Sequence, residues 1–77
     1  MTEVTEARGD YKVVIEPLSE EDGGGFLATV PELPGCMSDG ATRAEALANV
    51  EDAIATWLHC ARKAGQAIPE PELHRAA

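Results

Sequence analysis

Tyr11, Val13 and Ile15 alternate with Lys12, Val14 and Glu16, and the alternation stops at Pro17. A period of two sends successive side chains to opposite faces, so the segment predicts a strand with one buried face. A polar link from Ser19 to Asp22 leads into Gly23-Gly24-Gly25, where positive φ is reached at little steric cost. Phe26, Ala28 and Val30 then alternate with Leu27 and Thr29. This predicts a second strand returning antiparallel to the first. Pro31 and Pro34 bracket a corner, since neither donates to a ladder and each biases the preceding residue to extended geometry. Gly35 opens a short third strand over about 35–39, and Gly40 ends it.

The period then changes. Thr42-Arg43-Ala44-Glu45 reads as a capping box, with the Thr42 hydroxyl accepting from the first turn and Glu45 reaching back. Leu47, Val50, Ile54, Trp57, Leu58 and Ala61 follow at helical spacing and make one apolar face. Glu51, Asp52, Thr56, His59, Arg62 and Lys63 oppose it. Arg62 and Lys63 suit the negative end of the helix dipole, and Gly65 is a natural residue to follow the helix. Gln66, Ala67 and Ile68 read as a brief last strand, kept short by Pro69 and Pro71. Residues 1–9 hold few apolar side chains and read as a flexible leader, 10–71 as the domain and 72–77 as a tail. The expected fold is α+β: a βββαβ two-layer domain, an antiparallel sheet with one long helix on one face.

Charge narrows the function. Fourteen acidic side chains stand against six basic ones, a formal net charge of −8, and no five-residue window concentrates Lys or Arg. Phosphate-backbone affinity comes mainly from clustered cations, so direct nucleic-acid binding is not expected. An acidic domain suits a basic protein partner, whose opposite field speeds encounter. A chain of 77 residues buries only about 60% of its unfolded surface, which favours a partner or self-association. The N-terminus has no apolar signal core, and Glu45, Asn49, Glu51 and Asp52 interrupt the helical stretch. Neither a secretory signal nor a membrane span is expected, and the location is read as cytoplasmic. Cys36 and Cys60 form no CxxC pair and read as two free buried thiols.

No catalytic residue, cofactor site or metal site emerges. His59 and Cys60 are adjacent on the helix and point about 100° apart, so they do not chelate one ion. Gly23-Gly24-Gly25 precedes a strand rather than a helix and has no following Lys, which makes it a hairpin turn and not a phosphate cradle. Glu16, Asp22 and Asp39 do not converge in the strand pattern as a two-metal site would require. Asn49 borders the apolar stripe and is read as a helix-boundary side chain bonded to a loop carbonyl. Trp57 is read as core. The sheet's other face is left with Val14, Leu27 and Met37, an apolar patch read as a protein interface.

The order of Asp22-Gly23-Gly24-Gly25-Phe26, Pro31-Glu32-Leu33-Pro34-Gly35-Cys36 and Gly40-Ala41-Thr42 with Glu45, Ala46 and Asn49 resembles the core of the HicB-like antitoxin family. The resemblance runs from about Tyr11 to Pro71. It implies a last strand parallel to the first, a pared-down ribonuclease H architecture, with a right-handed crossover through the helix. It also implies a protein that neutralises a small basic HicA-like toxin, an mRNA-cleaving ribonuclease, by occluding its RNA-binding surface. Family members commonly continue into a ribbon-helix-helix or helix-turn-helix segment, whereas this chain stops at Ala77, so operator binding does not carry over. The alternative reading is a free-standing structural or regulatory module. In either case a homo-oligomer is expected through the uncovered sheet face, the sheet edge or both, leaving the acidic leader and outer helix face to a toxin.

Overall fold

Strands β1 (Glu3–Ala7), β2 (Tyr11–Pro17), β3 (Phe26–Thr29) and β4 (Met37–Gly40) precede helix α1 (Arg43–Lys63) in a computed structural model that describes residues 3–7 and 11–69. The strands form one antiparallel sheet in the order β1-β2-β3-β4. α1 crosses one face, packing chiefly on β4 and β3. The architecture is therefore α+β, as the change of period after Gly40 predicts.

The β2 to β3 connection is built from local chemistry. Ser19 caps a 3-10 turn at Glu20–Asp22, its hydroxyl accepting from the Asp22 amide at 3.2 Å. Gly23, Gly24 and Gly25 then all take positive φ, conformations that side-chain-bearing residues avoid. A Cβ on Gly25 would lie 2.5 Å from the Gly40 carbonyl oxygen, and one on Gly40 would lie 2.5 Å from the Ala46 amide nitrogen. Gly40 is thus the last residue of β4, and its missing side chain lets the first turn of α1 rest on the sheet.

Val13, Ala28, Leu33, Ala46, Val50 and Ile54 are fully buried, and Tyr11, Ile15, Val30 and Cys36 nearly so. Phe26, Leu47, Ala53, Trp57 and Leu58 close the rim. At the helix start the Thr42 hydroxyl accepts from the Glu45 amide at 3.0 Å, and the Glu45 carboxylate accepts from the Ala41 amide, one residue before the cap. At its end Gly65, at φ 69°, donates to the Arg62 carbonyl while Gln66 donates to the Ala61 carbonyl. This is the Schellman arrangement.

Two expectations are corrected. Glu3–Ala7, inside the segment read as a leader, forms β1, with Glu3 opposite Ile15 and Ala7 opposite Tyr11. Its composition is too polar to announce a strand; pairing with the edge of β2 supplies what periodicity lacks. Gln66, Ala67 and Ile68 form no strand. The edge of β2 away from β3 is where a strand parallel to it would lie, and β1 occupies it. The chain after α1 instead runs close enough for the Tyr11 hydroxyl to donate to the Pro69 carbonyl at 2.6 Å. The connectivity is ββββα, without the parallel last strand of a ribonuclease H-like sheet among the described residues. Pro71 and the tail at 72–77 lie outside those residues.

Candidate functional site

Because Val13 and Ile15 are buried beneath the helix layer, Val14 and Glu16 occupy the sheet's opposite face. Strand register extends that face. Val14 pairs with Thr29 and Thr29 with Met37, making one row across three strands. Glu16 pairs with Leu27 and Leu27 with Asp39, making the next row toward the hairpin. Directly opposed residues share a face, so Val14, Leu27, Thr29 and Met37 form a largely apolar strip with carboxylates on both sides of Leu27. Met37 is 52% exposed, while Val14 and Leu27 are half-buried by their neighbours. The period-two pattern singled out Val14, Leu27 and Met37; the flanking Glu16 and Asp39 emerge only once register is known.

The remaining singled-out residues serve the framework. Asn49 Nδ2 donates to the Asp39 carbonyl at 2.8 Å, tying α1 to β4. Trp57 Nε1 donates to the Pro34 carbonyl at 2.9 Å, which fastens the corner containing Pro34 and Gly35 to the helix. Glu32 reaches from the same corner to accept the Lys12 amide at 2.9 Å. Leu33, fully buried between the two prolines, anchors that corner and was not distinguished by periodicity. The Arg43 guanidinium stacks over the Phe26 ring, 4.7 Å from its centroid.

The thiols differ. Cys36 is buried, and desolvation raises its pKa above the ordinary thiol value. Cys60, expected to be buried, is exposed and lines an open groove with Pro34, Met37 and Trp57. It lies beside the stripe of Ile54, Trp57 and Ala61, on the exposed side of α1 with Thr56 and His59. Among the described residues no group of three or more His, Cys, Asp or Glu side chains is placed to hold a metal ion. No described helix is long and apolar enough to cross a membrane.

Comparison with known proteins gives these features a family context. The family model described as HicB-like antitoxin of bacterial toxin-antitoxin system matches residues 11–75. A UPF0150 protein of Thermoplasma acidophilum is 36% identical over 59 residues, covering 77% of this chain and 81% of that protein. A UPF0150 protein of Synechocystis is 36% identical over 63 residues, with 82% of each chain covered. Antitoxin HicB 1 of Photorhabdus laumondii is 34% identical over 61 residues, covering 79% of this chain but 37% of the antitoxin. No solved structure matches significantly.

Proposed function

Because the chain belongs to the HicB-like antitoxin family, we propose that it is the antitoxin of a type II toxin-antitoxin system, binding a small basic HicA-like toxin and occluding its RNA-binding surface. The observation that carries this reading is the sheet face left uncovered by α1, where an apolar strip ends in exposed Met37 and carboxylates flank Leu27. A cationic RNA-binding surface is chemically complementary to such a face. The role needs no catalytic group and no cofactor. It is exercised in the cytoplasm, where messenger RNA is found, and without direct contact between this chain and nucleic acid.

The test is to mix the purified chain with the product of the adjacent gene and follow cleavage of an RNA substrate. Suppression at a stoichiometric ratio, with a stable complex on gel filtration, is the expected result. An adjacent product that is not a basic ribonuclease, or one still active beside this chain, would overturn the reading. The alternative of a free-standing self-associating module is favoured by exposed Met37 beside the outer edge of β4. Sedimentation equilibrium of the isolated chain at micromolar concentration tests it: a homodimer or larger species supports self-association, and a species of 8.1 kDa opposes it.

A further inference from the structure

Charge is unevenly distributed between the two layers. On α1, Glu45, Glu51 and Asp52 are matched by Arg43, Arg62 and Lys63. Between Tyr11 and Ala41 the acids are Glu16, Glu20, Glu21, Asp22, Glu32 and Asp39, and the only base is Lys12. Glu16 and Asp39 lie on the uncovered face, and Glu20–Asp22 sits in the hairpin at the end of the sheet nearest their row. All five of these carboxylates are exposed. The domain's negative field therefore issues from the sheet layer, while the helix layer is close to neutral.

From this partition we infer that the uncovered sheet face, and not the outer helix face, is the docking surface for the basic toxin, an assignment that rests on the antitoxin reading above. The occupant is a folded protein presenting Lys or Arg around an apolar centre. Its cations meet Glu16 and Asp39, and its apolar residues cover Val14, Leu27 and Met37. Met37 adapts to an irregular partner surface, and the carboxylate pair sets orientation. A second copy of this chain fits the face poorly. A two-fold contact there would bring Glu16 and Asp39 of both copies into one interface with only Lys12 of each copy, further along the same face, to offset them, and an excess of like charge opposes association. Self-association, where it occurs, then belongs to the β4 edge and the Pro34, Met37 and Trp57 groove rather than to the centre of the face.

The experiment is calorimetric titration of the full chain with the basic protein encoded beside it, at low and high salt. Glu16→Lys and Asp39→Lys should each weaken binding about tenfold or more and flatten its salt dependence, whereas Asp52→Lys on the helix should change it less than about twofold. Leu27→Arg should weaken binding by a similar factor, and the exposed Asp39 variant keeps the test valid if Leu27→Arg disturbs folding. Tight binding by the unsubstituted chain that survives the sheet variants but falls with Asp52→Lys overturns the surface assignment and leaves the antitoxin reading standing. Absence of binding by the unsubstituted chain overturns both.

Discussion

The Asn49 side-chain amide donates to the Asp39 carbonyl at 2.8 Å, joining α1 to the outermost strand of the sheet. Val30 donates to Cys36 across the β3–β4 ladder, so backbone polar groups of Cys36 and, by alternation, Ser38 face β3. Those of Met37 and Asp39 consequently face outward. Asn49 thus occupies an acceptor on the edge of β4 that no described strand pairs, the position at which another strand would begin to pair.

Replacing Asn49 with Leu should expose that acceptor. The expected loss is about 0.5–1.5 kcal/mol, the usual net value of one such hydrogen bond, together with more concentration-dependent association. Thermal melting and light scattering over a concentration series check both; unchanged values would mean that water serves the edge equally well.

Ile54 is fully buried at the centre of the α1 packing face, whereas Thr42 is exposed and caps the helix. Ile54→Ala should cost about 2–5 kcal/mol and Thr42→Ala about 1 kcal/mol. Urea unfolding followed by Trp57 fluorescence distinguishes them. Equal midpoint shifts would place the buried face elsewhere.

Gly40→Ala should be more damaging than its size suggests. The added Cβ would meet the Ala46 amide nitrogen at 2.5 Å and the Glu45 carbonyl carbon at 2.8 Å, both backbone atoms that no rotamer change relieves. Displacing the helix start should cost about 1–3 kcal/mol. A melting temperature equal to that of the unsubstituted protein would contradict the close approach.

Cys60 should react with a thiol reagent at once, and Cys36 only on unfolding. Cys60→Ser should abolish the rapid phase. The Cys36 thiol, its pKa raised by desolvation, stays protonated in the folded chain above the pH at which it ionises when unfolded. The unfolded state then binds fewer protons, so stability should fall as pH rises past the ordinary thiol pKa, and Cys36→Ala should remove that part of the slope.

With a net charge of −8 and no cationic cluster, the isolated chain should not shift duplex DNA of its own promoter at physiological salt. A gel-shift assay checks this, and a sequence-dependent, salt-sensitive complex would refute it.

Much of the domain was legible because its signals are local. Alternation marked β2 and β3, Thr42 and Glu45 marked the helix start, Gly65 marked its end, and Gly23-Gly24-Gly25 marked the turn. Each depends on backbone geometry within a few residues, which composition alone dictates. The same period identified Val14, Leu27 and Met37 as occupants of the face away from the helix.

What only the tertiary structure decided was which distant segments meet. Glu3–Ala7, read from its composition as a leader, holds the edge of the first sequence-predicted strand that residues 66–68 were expected to flank, because strand pairing satisfies backbone groups whatever the side chains. The placement of Glu16 and Asp39 on either side of Leu27 follows from register between strands far apart in sequence. The exposure of Cys60, next to buried Ala61, follows from which side of α1 the sheet covers. Periodicity within one segment carries no information about register or coverage, since both are properties of two segments packed together.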